Sequence, residues 1–202
     1  MSLVARSAFY NLMTRGRSRA IARQLAPFLQ SEQQVLDFGC GNGFTALYLM
    51  DMTGCQITGL DVIRDINLKK DVAEKINFTL FDGNRIPFEN ESFDAVVASA
   101  VMHHTPYPGF FMDEFLRILK PEGIILLVEE MYHTLAGKLL LQAHDYLLNK
   151  LKKDVPLPLN FFSIRKYKKI FAERHLLVIH HGSVRPVFPY VRHEVFILKK
   201  TP

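Results

Sequence analysis

Three glycines at alternate positions follow a carboxylate in the stretch Val35-Leu-Asp-Phe-Gly-Cys-Gly-Asn-Gly43, which reduces to Asp37-x-Gly39-x-Gly41-x-Gly43. Glycine lets a backbone take positive φ and approach a ligand with no Cβ in the way. If a helix begins after the cluster, its first N–H groups are unpaired and carry partial positive charge. Dinucleotide sites space their glycines as G-x-G-x-x-G and receive a pyrophosphate. Here a carboxylate stands just before the glycines. It would repel a pyrophosphate and attract a cationic ligand end, such as an amino acid ammonium. Asp61, twenty-four residues on, can accept both hydroxyls of a ribose diol, and Asp82, before Gly83, can accept from an exocyclic adenine amine. The three acids suit a nucleoside carrying a cationic amino acid.

The elements that must position these residues follow from hydropathy. Short apolar runs at 34–38, 56–61, 76–81, 93–99 and 123–129 read as strands, several continuously apolar, as strands covered on both faces must be. Helical apolar content lies between them, at Phe44, Leu47, Tyr48 and Met50, and at Phe111, Phe115, Leu116 and Leu119, with Lys120-Pro121-Glu122-Gly123 as a stop. Strand–helix–strand repetition implies parallel βαβ units with right-handed crossovers, so the fold class is α/β, a Rossmann-like three-layer sandwich. Each of Asp37, Asp61 and Asp82 then falls at or near the carboxyl end of its strand, where open parallel sheets bind ligands. Beyond residue 130, a leucine-rich helix at 135–151, a Ser163-capped basic helix to about Glu173, and strands at 175–181 and 192–199 that could form an antiparallel hairpin complete seven strands. The chain reads as one domain, 1–202, with a basic helical segment at 1–31 and a helical lid or cap at 131–174.

This set resembles the class I S-adenosylmethionine-dependent methyltransferases, in particular their broad small-molecule group with a type 11-like domain. The carriers are VLDFGCGNG (35–43), ITGLD (57–61), LFDGNRIPFENESFDAVVASAVMHH (80–104) and LRILKPEGIILLVEE (116–130). The resemblance implies a sheet ordered 3-2-1-4-5-7-6 with strand 7 antiparallel. It implies S-adenosylmethionine as cofactor, with Asp37, Gly39, Cys40, Gly41 and Gly43 around the methionine part, Asp61 at the ribose, Val62, Asp82 and Gly83 at the adenine, and Ser99 alongside. Only 14 residues separate Asp61 from Ile76, so the second crossover helix must be short or partly unwound, which affects Val62 most.

Methyl transfer from a sulfonium is an in-line displacement in which holding the acceptor can suffice; a hydroxyl or carbon acid also needs a base. His103 and His104 after the fourth strand, and His133 after the fifth, are the candidates, with Glu129, Glu130 and Tyr132 nearby. Tyr10 could close over the cofactor. Two acids and a histidine without a third ligand pattern give no metal site. No Asp/Asn-Pro-Pro-Tyr/Phe follows the fourth strand and no Pro-Cys nucleophile is present, so amino methylation of nucleic acid bases or glutamine and cytosine C5 chemistry are disfavoured. The apolar content of the cap favours a small, apolar or lipid-like acceptor. Alternatives are a non-catalytic cofactor-binding module and an RNA methyltransferase using the basic ends.

Charge is unevenly spread beneath the net +5. Residues 1–31 hold five arginines and no acid, residues 32–148 hold eight Lys/Arg against seventeen Asp/Glu, and residues 149–202 hold twelve against three. An acid-free, Arg-rich start also fits a transit peptide; an ordinary basic helix, with Ile21, Leu25 and Leu29 packing inward, is the simpler reading. The basic cap offers peripheral contact with a membrane or lipid, while nucleic acid is not expected as a partner. Two cysteines fifteen residues apart form no disulfide framework, and no apolar run approaches the roughly 18 residues of a membrane helix. A cytoplasmic setting is expected.

Overall fold

The computed structural model describes residues 3–149, 160–185 and 192–200. Parts of the cap (150–159), the hairpin loop (186–191) and the side chain of Tyr10 lie outside the described residues. The elements run α1 (Leu3–Leu25), β1 (Gln34–Phe38), α2 (Phe44–Thr53), β2 (Gln56–Asp61), α3 (Lys70–Lys75), β3 (Thr79–Leu80), β4 (Phe93–Ser99), α4 (Pro108–Ile118), β5 (Leu119–Glu130), α5 (Leu135–Asn149), α6 (Ile164–Glu173), β6 (Leu176–Val184) and β7 (His193–Lys200). They build one seven-stranded sheet in the order 3-2-1-4-5-7-6. Strands 1 to 5 pair in parallel and β7 is antiparallel to both β5 and β6.

The continuously apolar strands are covered on both faces, as their composition requires. On one face Leu36, Phe38, Val96, Leu127 and Phe196 pack with Phe111 and Phe115 of α4 and Tyr167 and Phe171 of α6. Phe38 meets Phe115 edge-on at 5.0 Å between ring centroids, the arrangement aromatic quadrupoles favour. On the other face Val35, Ile57, Val97 and Ile197 pack with Ile21 and Leu25 of α1, Ala46 and Leu49 of α2 and Val72 of α3. Each large side chain so buried contributes roughly 1.5–3 kcal/mol of transfer free energy. The stripe expected around Ile21 and Leu25 therefore does bury, and Ser163 caps α6 by accepting from the Lys166 N–H at 3.3 Å.

Two element boundaries differ from the sequence reading. The third strand, expected over 76–81, is only Thr79–Leu80. The short crossover is the cause: α3 ends at Lys75, the Ile76 N–H still bonds to Val72 O, and Asn77 turns back in the left-handed region at φ 43°. The fifth strand starts at Leu119, not 123, because Leu119 pairs with Phe93 and a register shift absorbs Lys120–Gly123. Those residues end the helix without leaving the sheet.

Candidate functional site

The glycine loop leaves β1 at the point where strand order reverses, between β2 and β4. The Gly39 and Cys40 N–H groups both donate to Leu60 O, at 2.7 and 3.2 Å, which folds the loop back over β2. All three glycines have positive φ, from 52° to 75°, yet their surroundings differ. A Cβ at Gly39 would overlap the Val101 side chain, and one at Gly43 would meet Val72 Cγ1 at 2.7 Å. A Cβ at Gly41 would meet nothing within 4 Å. Gly39 and Gly43 are demanded by the protein's own packing, whereas Gly41 borders open space. Gly41→Ala is accordingly expected to cost about 1 kcal/mol of stability for its left-handed backbone while cutting cofactor-product affinity at least about tenfold. Gly39→Ala should cost about 2 kcal/mol or more in stability from overlap. Melting curves beside calorimetric titration separate the two; equal loss of stability at both positions would refute the division.

Two carboxylates meet this loop. Asp61, at the end of β2, accepts from Gly41 N–H at 2.9 Å through Oδ2 and from Ile63 N–H at 3.3 Å through Oδ1. Burial nevertheless raises its pKa, the backbone donors only partly offsetting it. Asp37 is buried, and its Oδ2 has no hydrogen-bond partner among the described residues. Burial first and the Asp61 charge second push its pKa up to about 7. A buried carboxylate oxygen without a donor is costly unless something binds it. A cationic group supplied by a ligand would meet that need. The burial, the open face at Gly41 and the acid at Asp61 fit the amino-acid and ribose parts of S-adenosylmethionine. Cys40 is buried, and burial first and the Asp37 and Asp61 charges next raise its thiol well above the usual range, which disfavours the thiolate.

The segment at Asp82 and Gly83 is more exposed. Asp82 accepts from the Asn84 N–H and side-chain amide, both at 2.9 Å, and these bonds lower its pKa. Gly83 sits at φ 82°, and Val62 Cγ1 lies 3.3 Å from where its Cβ would be. The short crossover thus leaves Val62 exposed but places it beside Gly83, with Asp82 next along the chain. The segment after Asp82 is clamped by a pair the sequence reading missed. Arg117 donates to Ile86 O and Phe88 O, at 2.9 and 2.8 Å, and Glu114 accepts from Ile86 N–H at 3.0 Å. The available signal was an acid on the apolar face of α4.

Ser99 ends β4 half-buried, and Ala100 then turns through the left-handed region at φ 51°. A 3-10 turn, Met102–His104, follows. Glu129, fully buried at the end of β5, organises it: Oε1 accepts from the Val101 and Met102 N–H groups at 2.8 and 2.7 Å, and Oε2 lies 2.7 Å from His103 Nδ1. His103 is itself buried and stacks on Phe161 at 4.5 Å and 16°. His104 is half-buried with its ring 4.2 Å from that of His103. His133 does not join this group. It is exposed and lies 3.7 Å from Glu194, a buried acid that also meets His181 at 2.9 Å and Arg192 at 2.8 Å. Glu130 projects to the other face, 3.2 Å from His193; burial raises its pKa, but the His193 hydrogen bond and charge together with the charges of His103 and Arg17 outweigh that and hold it at about 2. Among the described residues, no cluster of three or more His, Cys, Asp or Glu is arranged to hold a metal ion.

Sheet order, glycine loop and strand-end acids together define a class I S-adenosylmethionine-dependent methyltransferase domain, and the comparisons agree. Residues 36–127 match the family model described as a methyltransferase domain, and the similar proteins support S-adenosylmethionine as its cofactor. It is 32% identical over 103 residues to methyltransferase GfsG of Streptomyces halstedii, covering 48% of this chain and 37% of that protein. It is 35% identical over 99 residues to a sterol 24-C-methyltransferase of Gibberella zeae, covering 45% and 26%. The chain thus spans well under two thirds of these curated relatives. Among solved structures, a methyltransferase described as putative, in complex with the Haloferax volcanii Trm112 methyltransferase activator, superposes with a TM-score of 0.72 at 18% identity, over 98% of this chain and 95% of that one. At that identity the likeness concerns the fold.

Proposed function

We propose that this protein transfers a methyl group from S-adenosylmethionine to a small, apolar or lipid-like acceptor held under the cap. The observation that carries the cofactor half is the buried, unpartnered Asp37 oxygen beside a glycine loop pinned by Asp61. The cofactor supplies a methyl group already activated on a sulfonium. The chain binds and orients: Asp37 takes the cationic amino-acid end, Asp61 the ribose hydroxyls, and Val62, Asp82 and Gly83 the adenine, with Ser99 alongside. His103 and His104 stand after β4 on the acceptor side. Glu129 beside Nδ1 orients the His103 ring, so it would set the direction in which any proton transfer by that ring occurs. His133, exposed and paired with Glu194, is a weaker candidate for that role than its position after β5 implies. The apolar acceptor class is supported by the lipid substrate that the sterol relative's name implies.

Calorimetric titration with S-adenosylhomocysteine tests the cofactor half; no heat at high micromolar ligand would sink it. Labelled-methyl transfer across lipid and polar extracts tests the acceptor half, and label confined to the polar fraction would overturn the apolar assignment. The basic ends favour one second reading, an RNA acceptor, which requires RNA affinity that falls steeply with salt.

Asp37 sets a pH dependence. Its folded pKa of about 7 lies above its ordinary 3.8. The folded state therefore holds a proton that the unfolded chain has released, and stability falls as pH rises through that window, by about 4 kcal/mol at most. A cationic ligand favours the ionised form. Affinity for S-adenosylhomocysteine should thus climb about tenfold per pH unit below the Asp37 pKa and flatten above it. Asp37→Asn should abolish the slope in both stability and affinity. A slope that survives in Asp37→Asn assigns it to another group.

A further inference from the structure

Helix α5 is built inside out. Its described exposed positions are Leu135, Ala136, Leu139, Leu140, Ala143 and Tyr146. None is charged, and at 3.6 residues per turn they form one continuous face of roughly 140°. Leu135, Leu139 and Leu140 are 78%, 67% and 71% exposed. Lys138 and Gln142 are half-buried instead, with the Lys138 amine 5.8 Å from the Tyr132 ring centroid. A surface helix normally does the reverse. Helix α6 does so here, burying Tyr167, Ile170 and Phe171 and exposing Arg165, Lys166, Lys168 and Lys169. The two helices start from one place, since a bridge joins Tyr132, three residues before α5, to Ser163, the cap of α6. An uncharged apolar face therefore begins beside a cationic one.

We infer that the exposed face of α5, flanked by the cations of α6, is a docking surface for an anionic lipid bilayer. Apolar side chains sink into the acyl boundary while neighbouring Lys and Arg meet the headgroups, which is how interfacial helices bind. Arg165, Lys166, Lys168 and Lys169 of α6 are all exposed, so the neighbouring surface complements negative charge. The same cations argue against a second copy of this chain as occupant, because like charges would face each other across the contact. No described helix is long and apolar enough to cross the membrane, so contact is with its surface. The docking surface deepens the lipid-like acceptor reading by placing the cap at the source of such an acceptor. It needs no methyl transfer to be measured.

The test is cosedimentation of the full chain with vesicles of phosphatidylcholine alone and of phosphatidylcholine with phosphatidylglycerol. The protein is expected to pellet with the mixed vesicles, and partition should drop about tenfold or more on neutral vesicles and again in high salt. Leu139→Glu with Leu140→Glu should lower partition into mixed vesicles by about tenfold or more. Both positions are exposed, so the variant's melting temperature and S-adenosylhomocysteine affinity should match wild type; the milder Leu139→Ser should lower partition to a lesser extent. Failure of wild type to pellet, or pelleting untouched by both variants, overturns the docking surface. So does a dimer in sedimentation velocity that L139E/L140E disperses while wild type ignores vesicles. Cofactor binding with no vesicle binding leaves the methyltransferase reading standing alone, and vesicle binding with no methyl transfer leaves the docking surface standing alone.

Discussion

Asp61→Ala is expected to weaken S-adenosylhomocysteine binding at least about a hundredfold, roughly 3 kcal/mol, with little loss of folding stability. The two effects separate because of where the carboxylate sits. As proposed, its oxygens accept the ribose hydroxyls through charge-assisted bonds, each worth about 1.5–3 kcal/mol. Oδ2 also receives the Gly41 N–H at 2.9 Å, so its removal releases the glycine of the loop that borders open space. Burial raises the Asp61 pKa, which means that ionising it inside the fold is unfavourable compared with the unfolded chain. That stability contribution is already lost once pH exceeds the folded pKa, so removing the charge at neutral pH gives some of it back. Asp61→Asn keeps one acceptor oxygen without the charge and should fall between, near a tenfold loss. Titration calorimetry and melting curves on both variants check this. Wild-type affinity in Asp61→Ala would show that the acid plays no part in the ligand site.

Glu129→Ala is expected to act the other way, costing about 3–5 kcal/mol of stability. Glu129 is 0% exposed and receives Val101 N–H, Met102 N–H and His103 Nδ1. Without it, three polar groups of one turn lose their partner, and at least the buried Met102 N–H and His103 ring have no access to water. Because that turn also carries Val101 against Gly39, loosening it should reach the glycine loop as well. Glu129→Gln retains an acceptor oxygen and an isosteric shape, so a loss near 1–2 kcal/mol is expected. Chemical denaturation gives both values. A change within about 1 kcal/mol for Glu129→Ala would mean that the turn holds itself, and the proposed control of His103 would fail with it.

Much of the candidate site is legible in the sequence, for a local reason. The alternate glycines, the strand-end acids at Asp37, Asp61 and Asp82, and the short crossover are all facts about spacing. The parallel sheet turns spacing into position, since each strand delivers its last residue to the same edge. The pairing of Tyr132 with Ser163, by contrast, joins residues far apart in the chain and left no mark in either segment. Glu129 stood out only as one of several polar residues after the fifth strand. Its role depends on a turn that lies 27 positions earlier in sequence and one strand away in the sheet. His133 was grouped with His103 because both follow strands at the same edge. It faces Glu194 instead, a partner brought in by the antiparallel β7.

Sequence alone determined the α/β class, the glycine loop and the acids that meet it, because these rest on local periodicity and on residue types at fixed offsets; the strand order was implied only by the family resemblance its motifs carry. Tertiary structure decided which glycine faces open space, which glutamate ties the His103 turn, and that α5 shows its apolar face outward. Those properties belong to pairs of segments. A leucine at helical spacing reads the same whether it points into a core or away from one, and only the packing of the other elements around it tells the two apart.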